Sequence, residues 1–346
     1  MRVLIVRIGA MGDVLHAMPA VAALRERHPD WFIGWAIEPK WSDLLQIAGD
    51  PEDLSQGVGF AARALVDRWY SVPAGAWKRS PLARGTLRDI RALRRVLQAE
   101  RFDVCVDMQG SIKSAVVGRM AKAGELVGME EPRERVARLL YGKRVGLTAS
   151  HVIEQGCELL GGAVGETLTP VRVPLPMDAT FERWADGVVG HERFCLCSPG
   201  AGWGAKGWPA ERFGKVAAEL GRAGIRTVVN ATIHGSREAD RVVEKSEGFA
   251  RLVPCRVGQL IALTRRAAVV IAGDTGPLHL AAALERPVVG IFGPTDPARN
   301  GPYSTPQRVL RDATSQTSHK RVHEPEAGML KIGVEDVVAA AREMVS

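Results

Sequence analysis

The sequence of 346 residues contains no run of about 18 apolar residues, so no segment of it reads as a membrane-spanning helix. The opening MRVLIVRIGAMGD has only a short apolar stretch before an acid. It lacks the long apolar core and small-residue cleavage site of a secretory signal and reads as a first strand. Cysteine is scarce: five residues, an odd number, with no C-x-x-C pair. That excludes a disulfide framework and a thioredoxin-type redox motif and fits a reducing compartment. There is no low-complexity tract. The turn after the first strand is not G-x-G-x-x-G, which argues against a nicotinamide oxidoreductase, and G-x-S-x-G and G-x-x-x-x-G-K-[ST] are missing, which argues against a serine hydrolase and a P-loop kinase.

Acid is also scarce, but only locally. The net charge is +7, and residues 63–95 hold nine basic residues against two acids, Asp67 and Asp89. That excess equals the charge of the whole chain, so the remainder is neutral. A protein that coats nucleic acid would be basic throughout, so nucleic acid is not an expected partner. A local contact with something acidic is expected instead.

Beyond these gaps, the composition is that of a globular protein of about two domains, with 46% hydrophobic and 25% charged residues. Continuous apolar runs alternate with amphipathic ones. In the first half, strands are expected at 2–8, 31–38, 102–109 and 125–129, with helices at 13–27, 84–99 and 111–123. In the second half, strands are expected at 193–200, 226–233, 267–276 and 287–297. Helices fall at 209–221, 236–247, 257–266, 277–286 and 333–345. Residues 163–192, with Pro170, Pro174 and Pro176, read as a linker. Uninterrupted apolar strands between helices predict parallel sheets covered on both faces, hence two doubly wound α/β domains in tandem. Ligands in such sheets sit beyond the carboxyl ends of the strands, which places the expected site in a cleft between two facing domains.

Four glycine turns follow the strands. Gly9-Ala10-Met11-Gly12-Asp13 follows the first, and Asp13 there reads either as a helix-capping carboxylate or as a general base. In Gly273-Asp274-Thr275-Gly276-Pro277-Leu278-His279, the N–H groups of Thr275 and Gly276 at a helix start suit a phosphate. His279 reads as packing or as a contact to that phosphate. Asp274 would repel phosphate and is expected to cap or orient. Lys206, on the loop Pro199-Gly200-Ala201-Gly202…Lys206-Gly207-Trp208-Pro209, is a diphosphate clamp or a solvated lysine. Turn chemistry alone explains Gly293-Pro294-Thr295-Asp296-Pro297. His319 and His323 are four apart but have no carboxylate at a matching spacing, so no metal site is expected.

Taken together, these motifs resemble the bacterial lipopolysaccharide heptosyltransferases, and within them heptosyltransferase I. The resemblance is carried by MRVLIV…MGDVLHAMPA, by Asp107-Met108-Gln109-Gly110-Ser111-Ile112-Lys113-Ser114, by Gly128-Met129…Arg133-Glu134, by Lys206-x-Trp208-Pro209, by Asp274-Thr275-Gly276-x-x-His279 and by Gly293-Pro294-Thr295-Asp296-Pro297. It implies a GT-B glycosyltransferase, α/β, of two Rossmann-like domains facing a central cleft. It further implies an inverting, ADP-heptose-dependent transfer to Kdo-lipid A in lipopolysaccharide inner-core synthesis, without metal or cofactor. The implied general base is Asp13. The implied donor contacts are Gly12, Lys206, Asp274, Thr275, Gly276 and His279. The implied acceptor contacts are Lys78, Arg79, Lys113 and Arg133. The expected domains are 1–165 for the acceptor, 166–318 for the nucleotide sugar, and a C-terminal piece, 319–346, packing back on the first domain. The expected location is the cytoplasm, peripheral on the inner membrane, with the basic segment 63–95 docking on acceptor and anionic lipid. Alternatives are another transferase of this fold, such as heptosyltransferase II or III, or a non-catalytic nucleotide-sugar- or lipid-binding protein. The family often has serine or threonine in the turn before MGD. Here Ile8, Gly9 and Ala10 stand there, so contacts from that turn would come from backbone.

Overall fold

The computed structural model describes residues 1–45, 65–318, 320 and 322–345. Arg63, His319 and part of the basic segment lie outside the described residues. The chain forms two units, Met1–Pro174 and Leu175–Ser346.

The first unit runs β1 (Arg2–Val6), α1 (Met11–Arg27), β2 (Phe32–Ile37), β3 (Arg68–Ser71), α2 (Ala74–Arg79), α3 (Arg84–Ala99), β4 (Val104–Asp107), α4 (Ile112–Met120), β5 (Glu125–Met129), β6 (Lys143–Val145) and α5 (Val152–Val164). Its six strands are all parallel, in the order β3-β2-β1-β4-β5-β6. The central strand β1 is apolar throughout Val3–Val6 because both faces of a parallel sheet are covered. α1 and α5 pack together on one face. On the other, Leu93 and Leu97 of α3, Ala115 and Val117 of α4 and Ala137 of a short 3-10 helix, Arg135–Leu140, form one core with the strands.

The second unit runs α6 (Ala179–Val189), β7 (Phe194–Ser198), α7 (Ala210–Arg222), β8 (Arg226–Ala231), α8 (Arg237–Glu244), β9 (Ala250–Pro254), α9 (Val257–Arg266), β10 (Val269–Gly273), α10 (Gly276–Ala283), β11 (Val288–Phe292), α11 (Pro297–Asn300), β12 (Gln307–Arg311) and α12 (Val334–Val345). The strand order is β12-β11-β10-β7-β8-β9, again all parallel. Counted from the first strand of each unit, both sheets read 3-2-1-4-5-6, the doubly wound order whose reversal lies between strands one and four.

Three expectations need correction. The segment 163–192 is not a plain linker: Asp178 caps α6, its Oδ1 accepting from the N–H groups of Thr180 (2.7 Å) and Phe181 (3.1 Å). The three prolines precede that cap. The units part between Pro174 and Leu175, beyond the expected 165/166. The C-terminal piece belongs to the second unit, where Met329, Val337, Val338 and Ala341 join the core around β10 and β11. The elements missed by periodicity are mostly short or diluted. β3 is a four-residue edge strand, and α5 carries Gly156, Gly161 and Gly162 in its apolar pattern. All five cysteines are buried and free.

Candidate functional site

In the first unit, the chain leaves β1 through Arg7, Ile8, Gly9 and Ala10 and enters α1. A side chain at position 9 would put its Cβ 2.8 Å from Trp41 Nε1, so only glycine lets the turn pass. Asp13 is the third residue of α1. Its Oδ2 accepts from the Ala10 N–H at 3.0 Å, and its Oδ1 pairs with Arg7 Nη2 at 2.8 Å. Arg7 also donates from Nε to the Asp13 carbonyl (3.1 Å) and from Nη1 to the Met108 carbonyl. The capping and catalytic readings of Asp13 are therefore compatible. One oxygen closes the helix start, the other is held by a guanidinium, and 41% of the side chain stays open to solvent.

The end of β4 stands beside this turn. Gln109 Oε1 accepts from the Ile8 N–H at 2.9 Å. Asp107 is fully buried and accepts four hydrogen bonds, from Gln109 N–H (2.9 Å), Gly110 N–H (3.1 Å), Ser114 Oγ (2.9 Å) and Tyr141 OH (2.8 Å). Burial pushes its carboxyl above the usual range, against these bonds. Gly110 is left-handed at φ +68, and its carbonyl accepts from Glu134 N–H at 2.9 Å. Glu134 Oε2 in turn accepts from the Ile112 N–H, also at 2.9 Å. These bonds bring the start of α4, with Lys113, beside the loop that carries Arg133, both residues exposed. Lys78 and Arg79, also exposed, end α2 beyond β3, three strands from β4 and so roughly 14 Å away by strand spacing.

The second unit gathers a different set. A 3-10 turn, Gly204–Lys206, follows the glycine loop after β7. Lys206 Nζ lies 2.5 Å from Asp274 Oδ2 and 4.4 Å above the Trp203 ring. Asp274 Oδ1 lies 2.9 Å from His279 Nε2. Asp274 and His279 are buried, and Lys206 nearly so. Burial alone would raise the Asp274 carboxyl. The hydrogen bond and charge of His279 and the Lys206 ammonium outweigh it and hold it well below the usual carboxylate range. Asp274 thus ties a lysine and a histidine to the start of α10. The N–H groups of Thr275 and Gly276 at that start have no acceptor among the described residues. Pro277 takes an early helical position, where a missing N–H costs nothing.

The structure thus brings Lys206, Asp274, Thr275, Gly276 and His279 together in one unit, while Gly12 lies with Asp13 on α1 of the other. Sequence reasoning missed Arg7, which the Asp13 geometry singles out; its only signal was a cation at the end of an apolar strand. It also passed over Thr295, whose buried Oγ1 has no hydrogen-bond partner among the described residues. Asp296 does cap α11, as turn chemistry predicts, accepting from Ala298 N–H at 2.9 Å. Among the described residues, no group of histidine, cysteine, aspartate or glutamate is spaced to hold a metal.

Two parallel sheets of the same order, with polar groups gathered at the carboxyl ends of their strands, are the architecture of the GT-B glycosyltransferases. The glycosyltransferase family 9 (heptosyltransferase) model matches residues 90–330. Lipopolysaccharide heptosyltransferase 1 of Escherichia coli K12 is 29% identical over 317 residues, covering 90% of this chain and 93% of that protein. Lipopolysaccharide heptosyltransferase 2 of the same strain is 24% identical over 332 residues, covering 90% and 88%. The structure of E. coli heptosyltransferase WaaC with ADP superposes with a TM-score of 0.78 at 25% identity, over 99% of this chain and 100% of that one. The chain belongs to glycosyltransferase family 9, the heptosyltransferases, and is a glycosyltransferase.

Proposed function

We propose that the protein moves L-glycero-D-manno-heptose from ADP-heptose to a Kdo residue of Kdo-lipid A, with inversion at the anomeric carbon, in lipopolysaccharide inner-core synthesis. The observation that carries the chemistry is the division of labour between the units: an open, Arg7-held carboxylate in one and a lysine–aspartate–histidine chain at a helix start in the other. The similarity to heptosyltransferase 1 supports the substrate pair, and the ADP in the related WaaC structure supports the donor class.

In this reading the first unit serves the acceptor. Lys78, Arg79, Lys113 and Arg133 meet acceptor phosphates and Kdo carboxylates, and Asp13 takes the proton of the acceptor hydroxyl as its oxygen attacks the anomeric carbon. The second unit serves the donor. As the carbon–oxygen bond to ADP breaks, negative charge grows on the diphosphate. Lys206, the N–H groups of Thr275 and Gly276, and His279 take up that charge. Asp274 keeps the lysine and histidine in place. Gly12, beside the base, leaves a side-chain-free approach for the donor. The enzyme works on the cytoplasmic side of the inner membrane, as a peripheral protein.

The test is incubation with ADP-heptose and Kdo-lipid A, followed by mass spectrometry of the lipid; one added heptose is expected. Asp13→Asn should lower turnover by about 10²–10⁴-fold, the usual contribution of a general base, and leave ADP binding intact. Near-normal turnover of that variant would remove Asp13 from the role. The similarity to heptosyltransferase 2 supports a second reading, transfer to an acceptor that already carries heptose. A panel of acceptors with and without the first heptose separates the two.

A further inference from the structure

One face of the first sheet has an outer surface unlike any other among the described residues. α3, α4 and the 3-10 helix Arg135–Leu140 cover it, and α2 joins the same core through Ala74 and Trp77. These four elements carry eleven basic residues and one acid, Asp89. All eleven are exposed. Among the described residues, Arg84, Arg91, Arg94 and Arg95 make no ion pair; Arg88 reaches Asp89 only at 3.7 Å. Arg84 and Arg88 lie one turn apart on α3, as do Arg91 and Arg95, and such like-charge pairs disfavour a helix. Other arginines of the chain do find acids: Arg2 and Arg68 reach Glu100, and in the second unit Arg222, Arg241, Arg266 and Arg308 each contact glutamate.

The same surface shows apolar side chains. Of the twelve exposed large hydrophobics among the described residues, seven lie between positions 82 and 139. Leu82, in the turn between α2 and α3, is 85% exposed, and Leu139 is 77% exposed, the two highest values of that set. A single exposed leucine is ordinary, but seven exposed large hydrophobics gathered in one stretch among unpaired cations mark an interaction surface. Unpaired arginines around protruding leucines match a layer that is anionic at its surface and apolar a few ångströms below it.

We propose that this face of the first unit, α2 to the Arg135–Leu140 helix, docks on an anionic lipid bilayer, with Leu82 and Leu139 entering the acyl boundary and the α3 arginines on the headgroups. It deepens the reading above, since a lipid-linked acceptor is met at a membrane, and it extends the surface beyond the basic segment 63–95 to α4 and the following 3-10 helix.

The test is co-sedimentation of the full chain with vesicles of phosphatidylcholine alone and with 30% phosphatidylglycerol, at low and high salt. Wild type should bind the anionic vesicles at least tenfold better, with the difference shrinking in high salt. Arg91→Glu/Arg94→Glu/Arg95→Glu should lose that preference. Leu82→Ser/Leu139→Ser should bind at least fivefold more weakly with the salt dependence retained. ADP affinity of both variants, measured by calorimetry, should equal wild type and so report an intact fold. Equal binding to both vesicle types, wild-type binding by both variants, or a stronger preference for duplex DNA than for anionic vesicles would each overturn the proposal. Should heptose transfer fail while anionic vesicle binding follows this pattern, the substrate reading falls and the docking face stands.

Discussion

The two sheets share one strand order, and the fourth strand of each delivers an aspartate to the carboxyl edge: Asp107 ends β4 and Asp274 follows β10. The two carboxyls have opposite lives. Asp107 accepts only neutral donors, two backbone N–H groups and two hydroxyls, and burial pushes it up. Asp274 is also buried but sits between Lys206 and His279 and is held low. The same topological position therefore builds a turn in one unit and an electrostatic relay in the other. What differs is the sign of the neighbours that the loops supply.

The comparison is broken most directly at Asp274. Asp274→Asn leaves the Lys206 ammonium buried without its counter-ion, at a cost of about 3 kcal/mol. Urea unfolding should show that loss, whereas a variant as stable as wild type would mean the relay is solvated. The sign with pH follows from the lowered carboxyl. Its contribution is present above the unfolded value near 4 and is lost as pH falls below it. Asp274→Asn should therefore flatten the acid limb of the stability curve.

Lys206→Ala comes next. It should weaken ADP by roughly tenfold or more, as for one charge-assisted contact, with acceptor KM little changed; titration with each ligand tells them apart. Arg7→Met sharpens the contrast between the units from the other side. It frees one oxygen of Asp13 and should lower kcat by about tenfold while ADP affinity holds. An equal loss in both would make Arg7 a fold residue.

The smallest effect is expected at Asp107. Its raised carboxyl means that the folded state holds a proton the unfolded chain gives up, so stability falls as pH rises from about 4 toward the folded value. Asp107→Asn should remove that slope and cost about 1 kcal/mol, because the amide N–H₂ now faces hydroxyls and N–H groups placed as donors. A variant that keeps the slope would assign it to another group.

Much of this was legible in the residues. Strands such as Val3–Val6 and Val269–Gly273 are buried on both faces, so they read as continuous apolar runs. Glycine turns after them mark where ligands approach. The bounds of α3 and α9 follow from their patterns alone. The helix α6 did not, because prolines just upstream masked an Asp178 cap whose bonds exist only once the helix forms. Nor did β3, an edge strand with half its side chains exposed.

At the site, sequence placed Lys206, Asp274 and His279 as separate candidates on two motifs, with Lys206 and Asp274 68 positions apart. Local pattern cannot say that Asp274 serves both partners, since contact between distant segments is a property of the packed sheet. The same holds for Arg7 and Asp13, six residues apart, whose pairing depends on the turn that Trp41 confines.

The sequence by itself determined a two-part α/β protein, because periodicity and glycine turns are local properties, and the linear order of its motifs carried the resemblance to the heptosyltransferases. Only the tertiary structure decided which buried carboxylate is pushed up and which is held down, which arginines among the described residues stand unpaired beside exposed leucines, and to which unit the C-terminal helix belongs. Those outcomes depend on burial and on neighbours brought from far along the chain, and desolvation and ion pairing act through space, not along the sequence.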